Sequence, residues 1–317
     1  MRVEENLCHH RIREEIEDLY NLQWIVSVSS RLPRHRRWEH RRINWENHVD
    51  QLMHECKFAN EYRMSFSAFE HLVDLLDESL RREEHRSRSA EVIRTEHIIA
   101  LGLRALGGGR LSDIRHIIGC SRAAAYAAFD DFVDAVNSCP ELNIKFPTTA
   151  EEWKEVNDGF TVKSSDGIMQ GCVGAIDGYF QRVQAPCRKE VGNVEAYYSG
   201  HYEDYGVNCQ ACVKSDLLFM YFGVVSPGST NDNVSYPMAV GLRTAVDSLP
   251  PGLYCVADAA YTLEESLLIP FTGLDRNDKA QDAFNFYLSQ LRIHVKMAFG
   301  QLTNKFRILK GSIIGKL

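Results

Sequence analysis

The chain has 317 residues, enough for two domains with sizeable cores. Its 44% hydrophobic and 25% charged residues are ordinary for a globular protein, and no run reaches the roughly 18 apolar residues of a membrane span. The formal net charge of −7 excludes a globally basic nucleic-acid coat, so contact with nucleic acid needs a local patch. The N-terminus lacks the apolar core of a signal peptide, and nine scattered cysteines indicate free thiols. We therefore expect an intracellular protein.

The first predicted element is an amphipathic helix from Glu4 to about Val28. A basic segment with an interleaved tryptophan, Trp38, follows it. This segment predicts phosphate binding or nuclear import, although a solvated surface arm explains it equally well. Its candidate DNA-binding residues are Arg34, Arg36, Arg37, Arg41 and Arg42.

Helical periodicity then dominates as far as residue 165. From Trp45 to Arg82 apolar residues recur at three- and four-residue steps, and Ser65 or Ser67 is the predicted N-cap. A further helix spans Thr95 to Leu106 and ends at three glycines. The pair Thr148 and Glu151 has capping-box spacing and predicts the start of another helix.

Residues 111–133 have the pattern of a helix-turn-helix unit. A short amphipathic helix ends at Gly119, and Ser121 caps the next helix, so that Arg122 and Tyr126 would face a DNA groove. The alternative is a helical packing domain with the same turn. The run from Ala123 to Ala128 is nearly all alanine, and nearby aspartates would repel phosphate. Both interpretations stay open from the sequence alone.

In the C-terminal half, two short apolar runs each end in an aspartate. Val173 to Ile176 lead into Asp177, and we expect a tight turn at Gly178 before a returning strand. The second run leads into Asp258. A single aspartate after a strand most often caps a turn, but two delivered to one edge are the minimum needed to hold a divalent metal. Asp232, in a loop, is an additional candidate ligand.

The remaining pattern predicts strands at Val207–Val213 and Leu217–Val225, joined by a hairpin turn, and a helix from Ser235 to Ser248. A long helix with a break at Gly300 is expected from Asp282 to about Lys310. This order predicts an α/β fold of ribonuclease H type, with a mixed sheet flanked by helices and preceded by an all-helical domain. We expect an N-terminal arm over 1–50, a helical domain over 51–165 and the α/β domain over 166–317.

These residues resemble the PIF/Harbinger-type transposases and their domesticated relatives, which carry a DDE endonuclease domain. Similar motifs follow in the same order over most of the chain. They are Arg36-Arg37-Trp38 and Tyr62-Arg63-Met64, the first-Asp motif Gly174-Ala175-Ile176-Asp177-Gly178, the loop Gly228-Ser229-Thr230-Asn231-Asp232, the second-Asp motif Ala257-Asp258-Ala259-Ala260-Tyr261 and the last-helix motif from Phe284 to Leu302.

The resemblance implies a DNA-cutting core with two Mg²⁺ (or Mn²⁺) ions, nuclear location and DNA as the partner. Asp177 would bridge both ions and Asp258 would hold one. The family's third acid is a Glu directly after the valine of the last-helix motif, and here that position is Lys296. An ammonium is repelled by a divalent cation, so the resemblance predicts impaired cleavage.

Two interpretations therefore remain. One is a transposase-derived endonuclease whose cleavage is impaired, and the other is a catalytically inactive DNA- or partner-binding protein on the same fold. The acidic balance suggests a separate DNA-binding partner protein. The chain stops at Leu317, before the further terminal element usual in that family, so we expect a C-terminally short domain.

Overall fold

The computed structural model describes residues 41–82, 92–273 and 278–313. The helix predicted from Glu4 and the candidates Arg34, Arg36 and Arg37 lie outside these ranges. Within them, no helix combines the length and the apolar character needed to cross a bilayer.

Helices make up the first part of the described chain. They are α1 (Trp45–His54), α2 (Phe58–Tyr62), α3 (Phe66–Leu80), α4 (Thr95–Leu106), α5 (Leu111–Ile118), α6 (Arg122–Ser138) and α7 (Ala150–Lys163). Helices α1 to α6 share one hydrophobic core. Its centre is aromatic, with the ring centroids of Trp45 and Phe69 5.3 Å apart and those of Phe58 and Tyr62 4.8 Å apart.

The continuous helical pattern predicted from Trp45 to Arg82 is divided into three helices. Cys56 and Arg63 have φ angles of 52° and 62°, which no right-handed helix accommodates, and they separate α1, α2 and α3. Ser65 begins α3 and its hydroxyl accepts a hydrogen bond from the Ala68 amide at 3.2 Å. Ser65, not Ser67, is therefore the N-cap.

The elements predicted for residues 111–133 are formed. Gly119 ends α5 with a φ of 76°, and the Ser121 hydroxyl caps α6 by accepting from the Ala124 amide at 3.2 Å. The predicted capping box is wrong by one residue, because Thr149 and Glu152 form it at the start of α7.

Six strands of the described residues form one mixed sheet. They are β1 (Cys172–Arg182), β2 (Tyr198–Ser199), β3 (Asp204–Val213), β4 (Phe219–Pro227), β5 (Tyr254–Val256) and β6 (Leu267–Leu268). Along the sheet the order is β2-β3-β1-β5-β6, with β4 also paired to β3. Strand β3 is antiparallel to β1, β2 and β4, whereas β5 runs parallel to β1 and β6 parallel to β5.

The turn predicted at Gly178 is not formed. Strand β1 continues through Gly178 to Arg182 and is paired with β3 from Ala175 to Arg182. The glycine serves a different purpose, since a Cβ atom there would lie 1.9 Å from the Asp232 carboxylate. Gly178 thus allows a side chain from another element to lie directly over the strand.

Three helices complete the sheet domain: α8 (Asp232–Met238), α9 (Val240–Asp247) and α10 (Lys279–Lys305). The single helix predicted from Ser235 is divided at Ala239, after Pro237. The predicted break at Gly300 is also wrong. Helix α10 runs through it without interruption and is followed by a 3₁₀ turn, Arg307–Lys310.

A matched pair of glycines tests the packing of the two cores. A Cβ at Gly102 of α4 would lie 2.2 Å from the Phe132 ring, whereas a Cβ at Gly300 of α10 would meet nothing within 4 Å. We expect Gly102→Ala to lower the free energy of unfolding by about 1–3 kcal/mol through overpacking. We expect Gly300→Ala to raise it by about 0.5–1 kcal/mol. Denaturant unfolding measures both, and a shift of the same sign in the two variants would contradict this packing.

Candidate active site

Strand register brings Asp177 and Asp258 together. In the parallel pair β1–β5, Ala175 is the partner of Val256, and each aspartate lies two residues further along its chain. Side chains two residues apart share a face, so both carboxylates emerge on one side of the sheet. Strand β5 ends at Val256 while β1 continues to Arg182. The two acids therefore lie where the strands separate.

Asp177 is buried, with only 8% of its surface exposed. Burial and then the charge of Asp258 raise the pKa of the Asp177 carboxyl from 3.8 to about 6, and the Asp232 charge adds to this effect. The ammonium of Lys296 opposes the rise by favouring the ionised form. The site is thus short of positive charge.

Asp258 has contacts of two kinds. Its Oδ1 accepts a hydrogen bond from the Ala260 amide at 2.8 Å, so it caps a turn as single aspartates after strands often do. Its Oδ2 lies 3.9 Å from the Arg292 guanidinium. One oxygen is held by the backbone and the other faces a cation.

Helix α10 supplies the cations. Val295 is fully buried, and Phe299 packs on Tyr179 of β1 at a centroid distance of 5.1 Å, which fixes the rotation of the helix against the sheet. Tyr179 and Asp177 share a face of β1, so α10 covers the face from which the carboxylate emerges. Lys296 and Arg292 are one helical turn apart and both act on the acid pair.

Asp232 lies on the opposite face of β1. Its Oδ1 accepts hydrogen bonds from the side-chain amides of Asn208 and Gln210, each at 2.9 Å. The Tyr261 hydroxyl donates to Gln210 at 2.7 Å, which orients this amide. This network was not predicted from the sequence, although two amide residues, Asn208 and Gln210, in a mostly apolar strand indicate a buried polar contact.

The donor set does not fit a three-acid metal site. Asp177 and Asp258 offer oxygen ligands, but Lys296 stands where the resemblance leads us to expect the third acid, and Arg292 lies against Asp258. Glu264 pairs with Arg243, and Asp232 is held by amides on the other face. Within residues 41–82, 92–273 and 278–313 no three His, Cys, Asp or Glu side chains are grouped as metal ligands.

The basic candidates in the described ranges lie in the helical part of the chain. The backbone of Arg41 packs against Gly119 in the turn between α5 and α6, where a Cβ would lie 1.8 Å from the Arg41 oxygen. The Arg42 guanidinium donates to the Gly119 carbonyl. Arg122 is exposed at the start of α6, with its guanidinium 5.7 Å from the Tyr126 ring centroid. The side chains of Arg41 and Arg122 are both exposed and can make external contacts.

Residues 176–317 match the family model described as DDE superfamily endonuclease. The match begins one residue before Asp177 and includes Asp232, Asp258 and Lys296. No curated protein gave a significant match, and no solved structure did.

Because the pKa of Asp177 is raised, we expect the free energy of unfolding to fall as pH rises. Because the pKa of Asp177 in the folded chain lies above its ordinary value of 3.8, the contribution of Asp177 to stability is favourable at low pH and is lost as pH rises through about 6. We expect Asp177→Asn to stabilise the chain by about 1–3 kcal/mol at pH 8 and to have little effect at pH 4. Urea unfolding in a chelator measures both, and destabilisation at pH 8 would show that the ionised form is favoured.

Proposed function

We propose that this chain, whose residues 176–317 belong to the DDE superfamily endonuclease family, is a transposase-derived, DNA-binding protein with impaired cleavage of DNA. The observation that carries the proposal is the pair of cations, Lys296 and Arg292, which α10 brings to Asp177 and Asp258. These two side chains supply part of the positive charge that metal ions would otherwise supply.

The sheet supports a ribonuclease H-like core. Three antiparallel strands, β4, β3 and β1, are followed by the parallel strand β5 after a helical crossover. Asp177 lies on β1, Asp258 follows β5, and α10 covers the face from which Asp177 emerges. This is the placement that a DDE site requires of its three acid positions, with Lys296 at the third. The order of the motifs supports a Harbinger-type origin.

Charge explains why cleavage is impaired. Three carboxylates would carry a formal charge of −3, whereas Asp177, Asp258 and Lys296 together carry −1 when all are ionised. Two Mg²⁺ or Mn²⁺ ions at such a site would stabilise the attacking and leaving oxygens of a phosphodiester. An ammonium at the third position repels these ions, and Arg292 competes for Asp258.

The second function, DNA or partner binding without cleavage, uses a different part of the fold. The helix-turn-helix-like pair α5–α6 exposes Arg122 near the N-terminus of α6, where a phosphate is favoured by the free amides of the helix end. The exposed side chains that follow are mostly alanine, so this contact would position DNA and not read its sequence. Sequence recognition would then fall to a separate DNA-binding protein, and the location would be nuclear.

Reversing the charge at position 296 tests the impairment. We expect Lys296→Glu to create Mg²⁺- or Mn²⁺-dependent nicking of plasmid DNA that the parent lacks, because it completes the acid set. The matched control is Lys305→Glu, an equal charge change on the same helix in the last turn of α10. It should remain inactive.

Two outcomes would contradict the impairment. The first is metal-dependent nicking by the parent that is lost in Asp177→Asn. The second is an inactive Lys296→Glu chain that is folded and binds Mn²⁺, since the lesion would then lie elsewhere.

DNA binding by the parent tests the second function. With a chelator present, we expect affinity for duplex DNA to fall with salt, and Arg122→Gln to reduce the slope of log K against log salt by about 0.9. The control is Lys154→Gln, whose exposed ammonium pairs with Asp158 on α7. Tight, salt-insensitive, sequence-specific binding by the isolated chain would contradict the need for a separate recognition protein.

A further inference from the structure

A groove of about 460 Å³ lies next to Asp177, between the outer half of β1 and the turn that follows α10. Its lining includes Gly178, Phe180, Arg182, Tyr202, Thr303 and Lys310. The groove begins at Gly178, the residue after Asp177. Its volume is within the range of small-molecule sites, which is roughly 300–1,000 Å³.

One wall of the groove is an aromatic platform. The rings of Phe180 and Tyr202 are stacked, with centroids 4.3 Å apart and planes inclined by 13°. Two glycines hold the Phe180 ring in place, because a Cβ at Gly206 or Gly228 would lie 2.3 or 2.6 Å from it. Tyr202 is 49% exposed, so part of its ring is open to solvent. The Phe180 ring is therefore held by its neighbours, and the Tyr202 ring is accessible to a ligand.

The other wall is basic. Among the described residues, Arg182 and Lys310 line the groove and no aspartate or glutamate does, although the whole chain has 43 acidic and 36 basic residues. The Lys310 ammonium donates to the Asn304 side chain at 2.7 Å, and this neutral partner does not offset its charge. Arg182 is paired with Asp204 at 3.1 Å, and both side chains are partly exposed. An anion entering the groove thus meets two cations.

We propose that this groove binds an unpaired stretch of single-stranded DNA, with a base on Tyr202 and the flanking phosphate on Arg182 and Lys310. The proposal rests on DNA as the ligand of the proposed function. Stacking on a tyrosine requires a base with a free face, which only an unpaired nucleotide presents.

Fluorescence anisotropy of the full chain with a labelled oligothymidine of about 12 nucleotides tests the groove, with a duplex measured in parallel and a chelator present. We expect Tyr202→Leu to weaken oligothymidine binding by about 5- to 100-fold and Tyr202→Phe to keep the parent affinity. Tyr198→Leu is the matched control. Tyr198 is 42% exposed on β2 and does not line the groove, so its loss should change binding by less than about 2-fold.

The salt dependence tests the phosphate contacts. Arg182→Gln and Lys310→Gln should each reduce the slope of log K against log salt by about 0.7, the value for one phosphate of a single strand. Asp204→Asn should tighten binding, because it frees the Arg182 guanidinium while its amide oxygen still accepts from the Tyr205 amide, now 2.8 Å away. A merely structural role for Arg182 would not produce this gain.

The outcomes separate the two proposals. Equal effects of Tyr202→Leu and Tyr198→Leu, or a duplex affinity that falls as much as the oligothymidine affinity, would overturn the groove proposal alone. Binding of duplex but not of oligothymidine by the parent would do the same. If the parent binds neither DNA, the proposed function fails together with it.

Discussion

Burial of one carboxylate beside another is the constraint from which the site follows. Asp177 is nearly inaccessible to water and faces the charge of Asp258, and both effects raise its pKa to about 6. Such a pair requires a nearby positive charge if both groups are to be ionised at neutral pH. In this chain the positive charge comes from side chains of α10. The packing of Phe299 on Tyr179 holds that helix in position.

This view also explains why a lysine at the third acid position is compatible with a stable fold. A glutamate there would add a third negative charge beside the buried Asp177 and the partly exposed Asp258, and would make the ionised site depend more on bound metal. Lys296 removes that dependence, because its ammonium favours the ionised form of Asp177. Under the proposed function, loss of cleavage and metal-free stability would both follow from a lysine at this position. A protein that binds DNA without cutting it would need only the metal-free stability.

The sequence predicted the parts of the site that depend on local pattern. The strand ending before Asp258, the Ser121 cap and the position of Lys296 on the last helix could all be read from residue types and spacing. The turn at Gly178 was wrong, because glycine marks turns and close approaches alike and only the tertiary structure tells them apart. The close contact that Gly178 allows is made by Asp232, which comes from a distant part of the chain. Non-local contacts of this kind leave no periodic signal.

Metal affinity tests the central claim most directly. Calorimetric titration of Mn²⁺ into the parent, Lys296→Glu and Lys305→Glu chains compares one added carboxylate at the site with one away from it. The account predicts a new Mn²⁺ site in Lys296→Glu that disappears when Asp177→Asn is added, with no such site in the parent or in Lys305→Glu. Binding of Mn²⁺ by the parent that depends on Asp177 would contradict the claim that the cations of α10 replace the metal.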